Sequence, residues 1–223
     1  MLQGRRNVVF GLDQALATYR ALAGPKRLVV GDLGDTASAT PPSEQAALDR
    51  ETLAWLDRFV KGIPNGDGSG VVLADEPLYG STTTTPGPPA TGTASVMLPG
   101  RTTLSARAHV TRRVRLAGGP NETFGTPAVT VRYSAAHRWD RLVAQVTVEG
   151  EQGPLAVGGV RLEAESGAVT IRLSSGNALL PRGRRLAVTI GATSPDGTYL
   201  ARAAPGASIV VGRLTLALPL VRR

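Results

Sequence analysis

The sequence predicts an α+β chain in two parts, in which a βαβα unit is followed by an antiparallel β-sandwich of the jelly-roll type. Up to about residue 62, apolar strand-like runs alternate with segments of helical periodicity. Beyond about residue 100, apolar side chains recur at every second position and no helical segment follows. The stretch between the two is rich in Gly, Pro and Thr. We therefore expect an α/β unit at 1–64, a linker at 65–100 and a sandwich domain at 101–223.

The first half of the α/β unit has the pattern of a strand, a helix and a second strand. Leu2 to Gly4 is typical of the end of a short strand. Asp13 is a candidate N-cap for the following helix, which Gly24-Pro25 ends. Leu28-Val29-Val30 is then a fully apolar strand, of the kind that is buried on both faces of a parallel sheet.

A second helix is predicted from about Ser43 to Gly62, with Pro64 beyond its end. Its i, i+3, i+4 spacing places one set of side chains on a single face, namely Leu48, Thr52, Trp55, Leu56, Phe59 and Val60. A doubly buried parallel strand needs neighbours that 62 residues do not provide. We therefore expect part of a larger doubly wound domain to be missing upstream, and exposed apolar surface that favours self-association.

The sandwich is predicted from five runs with a period of two, separated by turns rich in Gly, Pro and Ser. The alternating residues are Val129/Val131/Tyr133, Leu142/Ala144/Val146/Val148, Val169/Ile171/Leu173, Leu186/Val188/Ile190 and Leu214/Leu216/Leu218/Leu220. Five or more such strands without helices are typical of a β-sandwich or jelly roll.

Composition excludes several classes of function. The 223 residues contain no cysteine, so disulfides, thiolate metal sites and cysteine nucleophiles are excluded. No run approaches the roughly 18 apolar residues of a membrane helix, and the N-terminus lacks the apolar core of a signal peptide. The net charge of +8 suggests a polyanion partner, but the densest basic groups, Arg112-Arg113-Arg115 and Arg182-Arg184-Arg185, lack interleaved aromatics. We expect no nucleic acid, membrane or cofactor partner, and the cytoplasm is only the default location.

The order of several segments resembles the C-terminal part of the Xaa-Pro dipeptidyl-peptidase and cocaine-esterase-like hydrolases. "QGRRNVVFGLDQALATYRAL" is similar to a late strand, acid turn and helix of their catalytic domain, "GPKRLVVGDLGD" to their strand and histidine turn, and "TLAWLDRFVKG" to their closing helix. "RWDRLVAQVTV", "PRGRRLAVTI" and "LTLALPLV" are similar to their jelly roll. The resemblance implies a serine hydrolase with an α/β-hydrolase domain followed by a jelly roll.

The resemblance also implies where a Ser-His-acid triad has its acid and its histidine. The acid position, after "QGRR", holds Asn7, and the histidine position, after "GDLG", holds Asp35. Asn7 supplies no negative charge to stabilise an imidazolium, and Asp35 lacks the ring nitrogen and near-neutral pKa of a proton shuttle. Both histidines, His109 and His137, fall in the β region, and the chain has no G-x-S-x-G elbow for a nucleophile. We therefore expect this chain to be inactive by itself.

Two further motifs are weighed against simpler interpretations. "NGDGSGVVLADE" fits a calcium loop with oxygen ligands at Asn65, Asp67, Ser69 and Glu76, but Pro77 follows where a helix should begin, so a connecting turn is preferred. His137 near Asp140 resembles a carboxylate-histidine pair, whereas we expect the intervening Trp139 to pack in the sandwich. We assign no metal site.

Three functions stay open at this point. The first is the C-terminal portion of a serine hydrolase, whose intact form would cleave an ester, or an amide after a penultimate proline, through an acyl-enzyme. The second is a non-enzymatic binding module for carbohydrate or protein, although the chain holds few aromatics. The third is one half of a split hydrolase. The partner expected is an upstream hydrolase segment or a second copy of the chain.

Overall fold

The structure is a computed structural model that describes residues 1–33, 42–65, 68–74, 82–118, 120–198 and 203–221. Within these ranges the chain is mostly β-structure, with two helices and three sheets. Neither helix combines the length and the apolar composition that crossing a bilayer requires. The first part of the chain builds one sheet with both helices, and the rest builds a β-sandwich.

The first sheet has the strand order β1 (Leu2–Gly4), β2 (Arg27–Gly31), β3 (Gly70–Ala74) and β4 (Thr82–Thr85). Strands β1, β2 and β3 run parallel, and β4 is antiparallel to β3. Helix α1 (Leu12–Ala21) lies between β1 and β2 in the chain, and α2 (Pro42–Phe59) follows β2. The predicted β-α-β-α order is therefore observed, and β3 extends it.

The two helices cover opposite faces of this sheet, because alternate residues of a strand point to opposite sides. On one face Leu28, Val30, Val71 and Leu73 pack against the apolar side of α1, formed by Leu12, Ala15, Leu16 and Tyr19. On the other face Val29 and Val72 contact Leu48 of α2. Burial on both faces explains why β2 and β3 are continuous apolar runs.

Helix α1 begins without the predicted side-chain cap. Gly11 occupies the N-cap position and Asp13 lies inside the first turn, so the prediction of Asp13 as N-cap is wrong. The first turn is fixed instead by the Leu12 amide, which donates to the Ser175 carbonyl oxygen at 3.0 Å. Asp13 still places a negative charge near the positive end of the helix dipole.

Helix α2 leaves most of its predicted apolar face uncovered by the described residues. Leu48 is buried, but Leu56 and Phe59 are exposed, and so is Val60 just past the helix end, at 75%. A groove of about 190 Å³ lies between this helix and the start of β1, and Trp55 lines it. This exposed apolar surface agrees with the sequence prediction.

The range 65–100 contains strands, so the prediction of an extended linker there is wrong for β3, β4 and β5 (Thr91–Leu98). β3 is buried at every position because it lies between β2 and β4. β5 belongs to the sandwich, where it pairs with the last strand over eight residues. Pairing with strands far away in the chain has outweighed the turn-like composition.

The sandwich is formed by a four-stranded and a seven-stranded sheet, both antiparallel in all their pairings. Besides β5, its strands are β6 (Thr102–Ser105), β7 (Val110–Arg115), β8 (Asn121–Gly125), β9 (Ala128–His137), β10 (Arg141–Val148), β11 (Ala156–Arg161), β12 (Gly167–Arg172), β13 (Gly176–Leu180), β14 (Arg185–Gly191) and β15 (Ser208–Val221). The smaller sheet has the order β11-β10-β14-β7. The larger has β12-β9-β15-β8-β13, with β5 and β6 also on β15.

The five sandwich strands predicted from the sequence are confirmed as β9, β10, β12, β14 and β15. Their alternating apolar side chains point between the two sheets and form the largest core of the protein. Trp139 is part of that core, as expected, and its indole nitrogen donates to the Arg141 carbonyl oxygen at 2.7 Å. Period-two alternation thus predicted both the strands and the buried faces.

Candidate functional site

Asn7, at the position of the expected catalytic acid, shapes the turn after β1. Its side chain is buried, at 9% exposure. The Oδ1 atom accepts hydrogen bonds from the amides of Val9 at 3.0 Å and Phe10 at 2.9 Å. This is the local side-chain-to-backbone pattern that Asn and Asp share, so a carboxylate would make the same contacts. The turn accommodates either residue, and the assignment of Asn7 to the acid position stays a prediction.

Asp35, at the position of the expected histidine, lies outside the described residues. The described chain after β2 runs to Leu33, and its start lies directly beside the turn that carries Asn7. Gly4 of β1 pairs with Gly31 of β2, and the Arg5 amide donates to the Gly31 carbonyl oxygen at 2.8 Å. The turns after β1 and β2 therefore leave the same edge of the sheet from neighbouring strands, where open α/β sheets place their functional residues.

Two glycines permit this close approach of the turns. A Cβ atom on Gly4 would lie 2.1 Å from the Leu33 carbonyl oxygen. A Cβ atom on Gly31 would lie 2.5 Å from Glu44 Oε1. Any larger residue at either position would have to displace backbone or a buried carboxylate.

A buried arginine, Arg5, connects the ends of three strands with the sandwich. It is only 1% exposed. Its Nε lies 3.0 Å from Asp32 Oδ1, and its Nη2 donates to the Ala74 carbonyl oxygen at the end of β3, at 2.6 Å. Its Nη1 donates to Asn177 Oδ1 of β13 at 3.4 Å. One guanidinium thus joins β1, the turn after β2, β3 and the sandwich, as its five planar donors allow.

A buried carboxylate, Glu44, lies behind the turn after β2. It is fully buried, and its Oε1 accepts a hydrogen bond from the Asp32 amide at 2.7 Å. Burial raises the pKa of Glu44, and the nearby Asp32 carboxylate adds to this, while the Asp32 amide and the Arg5 charge oppose it. Glu44 therefore shares one electrostatic network with Asp32 and Arg5.

The sandwich holds the turn of Asn7 from the other side. Arg6 Nη2 lies 2.6 Å from Glu151 Oε2. The Asn177 amide donates to the Arg5 carbonyl oxygen at 2.8 Å. The Asn177 side chain is itself fixed, because its Nδ2 donates to the Thr123 carbonyl oxygen at 2.9 Å and to Glu122 Oε1 at 3.1 Å. The turn is therefore clamped between the parallel sheet and the sandwich.

The described residues do not bring a histidine to these turns. His109 Nε2 lies 3.0 Å from the Thr193 carbonyl oxygen within the sandwich. His137 ends β9, where its backbone pairs with Ser208. No group of three or more metal-ligating side chains occurs in the part of the chain that the structure describes.

The described residues of the alternative calcium loop, Asn65 and Ser69, make other contacts. Asn65 turns its Nδ2 toward the Ala54 carbonyl oxygen of α2, and Ser69 Oγ accepts a hydrogen bond from the Lys26 amide. Gly70 begins β3 instead of completing a loop. Asp67 and Glu76 lie outside the described residues.

Sequence reasoning missed Arg5, Asp32 and Glu44, the charged residues that organise this region. Two weak signals were present, namely a charged residue directly after each apolar strand, at Arg5 and at Asp32. Glu44 gave no signal, because a glutamate in the first turn of a helix is ordinarily a solvated side chain near the dipole.

No protein-family model and no curated protein matches the sequence. Solved structures match in fold. A CocE/NonD family hydrolase from Staphylococcus aureus superposes with a TM-score of 0.68 at 12% identity, over 99% of this chain and 54% of that chain. An aminopeptidase from a marine sediment Thaumarchaeota archaeon gives 0.65 at 9% identity, over 99% and 54%. An α-amino acid ester hydrolase gives 0.57 at 13% identity, over 87% and 50%.

At these identities the matches show a shared fold. In two of them the match covers 99% of this chain, so it includes the parallel sheet as well as the sandwich. This chain spans about half the length of each of the three structures. The fold is thus that of about half of each of these proteins, two of which are named hydrolases. This similarity in fold agrees with the resemblance inferred from the sequence.

Proposed function

We propose that this chain is the C-terminal portion of a serine hydrolase of the cocaine-esterase-like type and that it performs no acyl transfer by itself. The observation that carries the proposal is the continuous match of 99% of this chain to 54% of a CocE/NonD family hydrolase. A sandwich alone would match many unrelated proteins. The combination of a parallel sheet, two helices and a sandwich in one order is far more restrictive.

The inactivity follows from the residues at the expected triad positions. A triad needs a carboxylate to orient and charge-stabilise the histidine, and a histidine to move the proton. Asn7 offers a neutral amide whose Oδ1 already binds two backbone amides. Asp35 stands where the histidine is expected, and the sequence has no G-x-S-x-G elbow. In a complete protein of this type the reaction would be hydrolysis of an ester, or of an amide after a penultimate proline, through an acyl-enzyme.

An upstream α/β segment is the partner we propose, and it would occupy the apolar surface beside β1. Among the described residues β1 pairs only with β2, so its outer edge has no strand there. Met1, Leu2 and Leu56 line one groove there. This apolar patch is accompanied by further exposed apolar residues on and just after α2, namely Leu53, Phe59, Val60 and Ile63. Parallel sheets are normally buried on both faces and continued by further strands, which a hydrolase segment would supply from the same or a separate polypeptide.

A second copy of the chain should cover this patch when the upstream segment is absent, and light scattering detects such self-association. Without its partner segment the chain should self-associate in a concentration-dependent way, and Leu56→Glu with Val60→Glu should reduce this. Met97→Glu is the matched control, because Met97 is also exposed but lies on β5 of the sandwich. A stable monomer at all concentrations, unchanged by the patch variant, would count against a missing segment.

The binding-module alternative gains no support from the described part of the sandwich. Carbohydrate platforms use exposed aromatic rings, whereas Phe124, Tyr133 and Trp139 are all buried. We therefore keep the hydrolase portion as the proposed function.

Hydrolysis of p-nitrophenyl acetate and of a Xaa-Pro anilide tests the proposal. The purified chain and the double variant Asn7→Asp with Asp35→His should both show no turnover above buffer, because neither contains the nucleophile. Sustained turnover by the original chain that survives Asp35→Ala would overturn the proposal and require a different active site.

A further inference from the structure

A groove on the sandwich is built around an irregularity in its longest strand, β15. The pairing of β15 with β9 shifts register between Val211 and Leu214, so Gly212 and Arg213 form a bulge. At the same point β15 changes its partner on the other side, because Val211 pairs with β6 and Leu214 with β5. The connection between β5 and β6 carries Arg101. The bulge thus brings Arg101 and Arg213 to one place.

Three arginines line the groove at this bulge. Its volume is about 540 Å³, and Arg101, Arg132 and Arg213 are its charged lining residues, together with polar Ser134 and the backbone of Gly167 and Gly212. All three arginine side chains are exposed. No aspartate or glutamate lines the groove within the described ranges. Three arginines therefore line one groove, and its described wall contains no carboxylate.

The three groove arginines form no ion pair among the described residues. Arg6, Arg27 and Arg113 each form an ion pair with a glutamate. Within the described residues, none of the three groove arginines has an acidic side chain within 4.0 Å. The printed side-chain contact of these three arginines is a weak one, from Arg213 Nη1 to Met97 Sδ at 3.9 Å, so their guanidinium groups keep donors for an anion from solution.

A fourth arginine adds positive charge at the same bulge. Arg112 of β7 donates from Nη1 to the carbonyl oxygens of Gly212 at 2.6 Å and Leu98 at 3.1 Å, and from Nη2 to that of Val211 at 3.3 Å. Burial lowers the pKa of Arg112, yet a guanidinium in a protein stays charged at neutral pH. Its partners are all neutral carbonyls, so its charge is uncompensated and stabilises the bulge that forms the groove.

We propose that this groove binds a ligand with clustered anionic oxygens, a phosphate or sulfate ester bearing several negative charges. The guanidinium fork matches the oxygen geometry of these groups, and it binds them with charge-assisted hydrogen bonds. The three lining arginines outnumber what a single anionic group needs, which favours a ligand with more than one such group. Extended nucleic acid is not favoured, because the groove offers only one aromatic residue, and Tyr133 is buried. The site is independent of the proposed hydrolase role.

Calorimetric titration with inorganic tripolyphosphate and with sucrose octasulfate tests the proposal with one polyanion of phosphate oxygens and one of sulfate oxygens. The groove variant is Arg132→Gln with Arg213→Gln. The matched control is Arg172→Gln with Arg185→Gln, which removes the same charge from exposed strand positions that do not line the groove. Circular dichroism checks that both variants keep the native fold, as the exposure of all four side chains leads us to expect.

The chain should bind at least one of the two probes at low ionic strength, and the groove variant should lose about tenfold or more in affinity, because two charge-assisted contacts are removed. The control should stay within about twofold of the original chain, since only long-range, screened charge is lost. Equal losses of affinity in both variants would show that the probes bind through general attraction to the positive net charge. That result would overturn the proposal. Absence of binding by the original chain to either probe would also overturn it.

Discussion

Replacing Arg5 by methionine removes the guanidinium that joins the parallel sheet to the sandwich. The change leaves two acceptors without their donor, the Ala74 carbonyl oxygen and Asn177 Oδ1, and removes the positive charge 3.0 Å from Asp32 Oδ1. Asp32 is only 13% exposed, so its charge becomes largely buried without a partner. Removing one member of a buried ion pair costs about 3 to 5 kcal/mol. We therefore expect the free energy of unfolding to fall by about that amount.

Urea unfolding followed by fluorescence and circular dichroism measures this loss. The two tryptophans report on different parts, because Trp55 lies on α2 and Trp139 in the sandwich core. Arg113→Met is the control, since Arg113 pairs with Glu149 at the surface, and such pairs contribute about 1 kcal/mol or less. If Arg5→Met lowered the unfolding free energy no more than Arg113→Met does, the network around Arg5 would not hold the two parts together.

Three further changes test the turns at the sheet edge, each by the free energy of unfolding in urea. Asn7→Ala should lose about 1 kcal/mol because two backbone amides lose their acceptor, whereas Asn7→Asp should stay close to the original; equal effects would contradict the role of Oδ1. Gly4→Ala should lose about 2 kcal/mol or more through the clash with Leu33, against no more than about 0.5 for Gly68→Ala, where a Cβ meets nothing within 4 Å; similar losses would contradict the close approach. Because burial raises the pKa of Glu44 above its ordinary value of 4.5, ionisation of Glu44 opposes folding. This penalty is absent below pH 4.5, grows as the pH rises from 4.5 to the raised pKa, and is constant above it. Glu44→Gln should therefore gain stability relative to the original chain between pH 4.5 and neutrality, and a difference that does not change with pH would refute this.

Strands of the sandwich were predictable where buried residues alternate with less buried ones. In β9, for example, Val129, Val131 and Tyr133 are buried and the residues between them are not, which produces the period of two. Strand β3 was not predicted, since "GVVLA" is buried on both faces and follows a glycine-rich turn, so it has no alternation and its surroundings have the composition of a linker. Only pairing with β2 and β4 identifies it as a strand.

The candidate site was predicted at the glycine-containing turns after two strands, and this stays a prediction. The structure describes Asn7 in the first of these turns. The network of Arg5, Asp32 and Glu44 was not predictable, because the sequence does not indicate that these charges are buried or that they meet. The arginine groove depends in the same way on the bulge at Gly212, which no sequence period reveals.

Labelling with a fluorophosphonate probe, followed by mass spectrometry, tests the central claim that this chain lacks an activated serine. The probe reacts with a serine only where a neighbouring base and an oxyanion site activate it. The account predicts no specific labelling of the native chain, and none in the double variant Asn7→Asp with Asp35→His. Labelling of a single serine in the native chain that heat denaturation abolishes would contradict the account and locate an active site within these 223 residues.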